Sequence, residues 1–112
     1  MRRALRLGAH MPCTAYIEDL DKARGIYLFV EFHRYRAEVL DYALVLAVEQ
    51  GGRLRTVRVY DAAHGRNEMH RYTTKLGKQP GVVFHHGTLG EGMRAAKQSI
   101  RGGYEEMIEG WR

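Results

Sequence analysis

Hydrophobic and polar positions alternate through the middle of this chain and switch to a three-to-four spacing near its end. Residues 26–33, Ile-Tyr-Leu-Phe-Val-Glu-Phe-His, are β-branched and aromatic with a polar outer end, and predict a strand. Residues 37–50 fit two templates. Val39, Leu40, Ala43, Leu44, Ala47 and Val48 suit a helical face, while Leu40, Tyr42, Leu44, Leu46 and Val48 suit one face of a strand. Periodicity cannot arbitrate a run that is apolar on both faces. The Gly51-Gly52 pair that follows is a two-residue hairpin signal, and the next run is strand-like, so residues 38–49 are read as a central strand. Residues 53–61 form its partner, with Val57 and Val59 on one face and Arg58 and Tyr60 on the other. Residues 68–74 make a return strand in which His70 and Tyr72 face one way and Met69 and Arg71 the other. A loop over 75–81 leads to a short strand at 82–85.

The ends of the chain read differently. Residues 1–14 look irregular, with a basic start that reads as an arm or a disordered end. Residues 15–24 predict a short helix stopped by Gly25. Thr88-Leu89-Gly90-Glu91 matches a capping box, in which hydroxyl and carboxylate reciprocally satisfy backbone N–H groups. Met93, Ala96, Ile100, Tyr104, Met107, Ile108 and Trp111 then mark the buried stripe of an amphipathic helix. Gly102 and Gly103 fall inside it, each costing about 1 kcal/mol relative to alanine, and predict a bend or a close backbone approach. The fold class that follows is α+β: an antiparallel sheet of about four or five strands packed against a long C-terminal amphipathic helix, with a short N-terminal helix.

Composition narrows the partners. A chain of 112 residues makes one domain. Eighteen Lys and Arg against thirteen Asp and Glu give a net charge of +5, and the pI is near 9.6. That balance favours a polyanion such as RNA, or an acidic protein, although it also lies within the range of ordinary solubility charge. Cys13 is alone, which excludes an internal disulfide and fits a reducing cytoplasm. No apolar run approaches the roughly 20 residues that span a bilayer, and the basic start lacks a signal peptide's apolar region.

The candidate chemistry clusters around one turn. In residues 59–72 an acid, Asp61, ends a strand; His64 sits in a Gly-containing loop; His70 and Arg71 lie on the return strand. Cleaving a phosphodiester needs a proton acceptor, a proton donor and cations for the phosphoryl oxygens. His64 and His70 suit the first two tasks, because an unperturbed imidazole titrates near about 6.5. Asp61 can orient one imidazole, and Arg71 with Arg58 or Arg66 can clamp phosphate through a two-pronged contact. The alternative is that His64 is a polar turn residue and Asp61 only caps the turn. A second group, His85 and His86, precedes the capped helix, whose free N–H groups suit an anion. Adjacent strand residues point to opposite faces, so at most one of these two normally joins a shared site. Asp61, His64, His70 and one of His85 or His86 could supply metal ligands, but the spacing from His64 to His70 is no helical ligand pair. A bound metal or other cofactor is therefore not expected. His10 and His33 carry no further signal. The run Phe32-His33-Arg34-Tyr35-Arg36 can stack bases and hold phosphates, or serve as ordinary edge-strand composition.

Tyr60-Asp61-Ala62-Ala63-His64-Gly65 followed by His70-Arg71 resembles the signature of the TumE-type family of small prokaryotic proteins, which are toxins of toxin–antitoxin pairs. The resemblance covers roughly residues 26–74. Many relatives carry a denser histidine pattern in the second strand, where this chain has only His70. The resemblance implies a toxin with a cognate antitoxin protein as partner; it does not establish the biochemical activity. Joined to the residues above, it predicts a cytoplasmic endoribonuclease acting without a metal. One of His64 or His70 would take the ribose 2′-hydroxyl proton, and the other histidine or His85 would protonate the leaving oxygen. The competing expectation is a non-enzymatic RNA- or protein-binding module, and a homodimer is compatible with both.

Overall fold

A computed structural model describes residues 13–112, so the basic segment before Cys13 lies outside the described residues. The elements run β1 (Cys13–Asp21), a single 3-10 turn (Lys22–Arg24), β2 (Ile26–Tyr35), β3 (Glu38–Gln50), β4 (Arg53–Asp61), β5 (Asn67–Thr73), β6 (Gly77–Lys78), β7 (Val82–His85) and α1 (Leu89–Trp111). The strands form one antiparallel sheet in the order β1-β2-β3-β4-β5-β6, with β7 also pairing β5. The sheet-plus-helix architecture matches the alternation in the sequence, and residues 38–49 are the central strand that the Gly51-Gly52 turn implied.

Two expectations are corrected. Residues 15–24 are not a helix. They form most of β1, which pairs with β2 from Cys13↔His33 to Asp21↔Ile26. The side chains of β1 are mostly exposed on both faces, so hydrophobic periodicity carried little information there. The backbone groups offered by the long edge of β2 decided the conformation. Gly25 still acts as a stop, adopting φ 70° after the 3-10 turn, whose cap is the Asp21 carboxylate. Among the described residues the sheet also has seven strands rather than four or five; β1 and the two-residue β6 account for the surplus.

One face of the sheet is covered by α1. Leu28, Leu44, Leu46, Tyr60 and Met69 from the strands meet Met93, Ala96, Ile100, Ile108 and Trp111 from the helix. The capping box forms as the sequence indicates, with Glu91 N donating to Thr88 Oγ1 at 3.1 Å and Thr88 N to Glu91 Oε1 at 2.9 Å. The helix continues through Gly102 and Gly103, and no other backbone among the described residues lies within 4 Å of either glycine's Cβ position. Packing on both sides of the pair outweighs their weak propensity. No helix among the described residues is long and apolar enough to cross a membrane.

A buried polar hub ties the start of the helix to β5. Asn67 Nδ2 donates to the carbonyls of His85, Gly87 and Thr88 at 3.2–3.3 Å, and its Oδ1 accepts from the Tyr42 hydroxyl at 2.6 Å. Burial, with the Asp61 charge second, pushes the Tyr42 phenol above its ordinary range, so it stays a neutral donor. Gly92 is required here: a Cβ at that position would collide with the Asn67 amide.

Candidate functional site

The uncovered face of the sheet carries the candidate residues, and strand pairing places three of them. Asp61 and Glu68 are facing partners at the end of the β4–β5 ladder, and His70 faces Val59 two residues further along. Alternation puts Asp61, Glu68 and His70 on one face and Tyr60, Met69 and Arg71 on the other. The loop between the strands is short and shaped by its own hydrogen bonds. Ala62 N–H donates to the Tyr42 carbonyl at 3.2 Å, Gly65 N–H to the Ala62 carbonyl at 3.0 Å, and Ala63 N–H to Asp61 Oδ1 at 3.3 Å. Gly65 takes φ 74°, a conformation that costs glycine little.

That turn folds two loop side chains back onto Glu68. His64 Nδ1 lies 3.0 Å from Glu68 Oε1, and Arg66 Nη2 lies 2.7 Å from Glu68 Oε2. Glu68 itself is only 5% exposed, whereas the His64 and Arg66 side chains are 67% and 63% exposed. The hydrogen bond from His64, followed by the attraction of both neighbours, outweighs burial and holds the Glu68 carboxyl below its ordinary range. A carboxylate can only accept, so His64 donates through Nδ1, and in the neutral ring the lone pair lies on Nε2.

His70 is held differently. Its Nδ1 is 3.2 Å from the Gln79 carbonyl, and Gln79 is itself fixed by its N–H to the Arg71 carbonyl at 2.7 Å. The ring lies against Gly81, where a Cβ would come within 2.6 Å of His70 Cε1. Asp61, Glu68 and His70 each offer one ligand-type atom, and these atoms all lie within 4.8 Å of one another.

The expected residues therefore divide. Asp61, His64 and His70 converge, with Glu68 as the group that joins them. Asp61 caps the turn, whereas the imidazoles are held by other groups: His64 by Glu68 and His70 by the Gln79 carbonyl. Arg66 reaches Glu68 and also lines a cleft of about 320 Å³ with His85, His86, Gly87 and Leu89. In that cleft His85 Nε2 stands 3.9 Å from Glu91 Oε1. Arg58 and Arg71 do not join the site. They face one another across the β4–β5 ladder on the helix-covered side, and Arg58 Nε is buried without a hydrogen-bond partner. The clamp expected from that pair is corrected by strand parity, which leaves Arg66 as the arginine on the cluster.

Glu68 is the residue the sequence reading missed. The signal was present in Glu68-Met69-His70: two chemically active residues separated by one position share a strand face. Gln79 and Gly81 carried no comparable signal, because their roles depend on where the loop after β5 returns.

The register also extends the site across the open face. A row of facing positions runs His70, Val59, Val45, Phe29 and Ile17 from β5 to β1. Phe29 and its same-face neighbour Tyr27 have ring centroids 6.4 Å apart. No protein-family model, curated protein or solved structure matches the chain. The TumE-type resemblance accordingly rests on its motif residues.

Proposed function

We propose that this protein is an RNA-cleaving toxin of a toxin–antitoxin pair, working in the cytoplasm and held by a cognate antitoxin. The observation that carries this reading is the Glu68 junction: one buried carboxylate orients the exposed His64, stands beside Asp61 and His70, and shares Arg66 with the cleft of His85 and His86. His64 is the general base. With Nδ1–H on Glu68, its Nε2 accepts the proton of a ribose 2′-hydroxyl. The 2′-oxygen attacks phosphorus, the bond to the 5′-oxygen breaks, and that oxygen takes a proton from a cleft imidazole, His85 or His86. Arg66 neutralises the phosphoryl oxygens. The Tyr27 and Phe29 rings on the same face suit stacking by flanking bases.

The test is cleavage of a single-stranded RNA and of its 2′-deoxy counterpart by the purified chain. The RNA should be cut and the deoxy strand left intact. His64→Ala should slow cleavage by at least about a hundredfold, the usual span of general acid–base catalysis. An unchanged rate in that variant removes the hairpin from the mechanism. The aromatic pair on the open face favours a second reading, a non-catalytic RNA-binding module, which predicts no turnover and affinity that falls steeply with salt.

A further inference from the structure

We propose that Asp61, Glu68 and His70 form a binding site for one divalent transition-metal cation of the Mn²⁺ or Zn²⁺ class. Their ligand-type atoms already lie within 4.8 Å of one another. In an octahedral site with bonds of about 2.1 Å, neighbouring corners are about 3.0 Å apart and opposite corners about 4.2 Å, so side-chain rotation that draws these atoms inward closes the set around an ion. The positions are set by rigid pairing rather than by a mobile loop: Asp61 and Glu68 face each other in the ladder, and His70 follows on the same face.

The state of His70 is a second, independent feature. The Gln79 carbonyl can only accept, so Nδ1 carries the proton and, in the neutral ring, Nε2 carries the lone pair. A ligating histidine is oriented in this way when its other nitrogen donates to a backbone carbonyl. Gly81 completes the cradle, because any larger residue there would push the ring from its place. The two carboxylates and one imidazole match the ligand preferences of Mn²⁺ and Zn²⁺ better than an all-oxygen calcium cage does. Three protein ligands also leave positions for water and for a phosphate oxygen, the open arrangement of catalytic rather than structural sites. His64 and Arg66, which bond Glu68 from the solvent side, can keep its outer lone pairs or swing away. This departs from the metal-free chemistry expected of the sequence. Only the catalytic use of the ion rests on the RNA-cleavage reading; its binding does not.

The experiment is titration of the full chain, stripped with a chelator, with Mn²⁺ followed by electron paramagnetic resonance and with Zn²⁺ followed by calorimetry. One ion should bind per chain and raise the melting temperature. Asp61→Asn, Glu68→Gln and His70→Ala should each weaken binding at least tenfold, and Gly81→Ala by about 10- to 100-fold through the displaced ring. Arg71→Gln, on the other face, should bind like wild type. Asp61→Asn is close to isosteric and decides the matter if another variant fails to fold. Failure of wild type to bind either ion, or binding unchanged in all three ligand variants, overturns the site. RNA cleavage is scored separately: ion binding without cleavage defeats the nuclease reading alone, and cleavage without ion binding defeats the metal site alone.

Discussion

The two faces of this sheet are built from the same strands and do opposite work. On the covered face, Leu28, Leu44 and Leu46 are completely buried under α1, and Tyr42 and Asn67 satisfy one another there, while Arg58 Nε is left buried without a hydrogen-bond partner. On the open face, half-buried Phe29, Val45 and Val59 lead to Asp61, Glu68 and His70. Neighbouring residues on one strand thus enter different surroundings: Tyr60 packs edge-on against Phe84 at 4.9 Å, and Asp61 joins the cluster with Glu68 and His70. Charge on the open face is tolerated by pairing where it is buried: Glu68 is 5% exposed and is bonded by the exposed His64 and Arg66, which offset the cost of its desolvation. The comparison also explains why Arg58 and Arg71, so suitable by type, contribute nothing to the cluster. Each is one position out of phase with it.

The largest expected effect tests the division directly. Leu44→Ala should cost about 2–5 kcal/mol by combining lost burial with a cavity, whereas Phe29→Ala on the open face should cost about 1 kcal/mol or less. Urea unfolding of the two variants measures the contrast, and equal losses would mean that the open face is as structural as the covered one. Next comes Tyr42→Phe, which leaves the buried Asn67 Oδ1 without its donor. It should cost about 1–3 kcal/mol in the same assay; a neutral result would remove the hub from the account.

The smallest effect concerns the edge. Arg101 of α1 grips Glu18 of β1 through two contacts, Nε to Oε2 at 2.8 Å and Nη2 to Oε1 at 2.7 Å. Hydrogen bonding from Arg101 comes first among the causes holding the Glu18 carboxyl below its ordinary value. A carboxyl lowered in the folded state contributes stability above its unfolded pKa of about 4.3 and loses it as pH falls through the folded value. Arg101→Gln should therefore cost less than about 1 kcal/mol at pH 7, because the pair is partly exposed. The difference from wild type should shrink in acid below the usual carboxylate range. A gap that widens on acidification would assign the contact another role.

Much of this molecule was legible because its informative residues sit in strongly patterned segments. The Gly51-Gly52 turn settled the ambiguous central run, and Thr88 with Glu91 marked where the helix begins. The hairpin signature around Gly65 put Asp61, His64 and His70 within reach of each other before any coordinates. β1 was illegible because edge strands exposed on both faces leave no periodic stripe, and its conformation comes from the hydrogen bonds of a neighbour.

By itself the amino-acid order determined the alternation, the turns, the capped helix and the residue types gathered at one bend. These depend on local sterics and on the spacing of apolar groups, which act over a few residues. Only the tertiary structure decided that Glu68 would join the cluster, that Gln79 and Gly81 would cradle His70, and that Arg58 and Arg71 would lie behind the sheet. Those outcomes turn on register and on where a distant loop returns, and a one-residue slip in pairing would have exchanged the two faces.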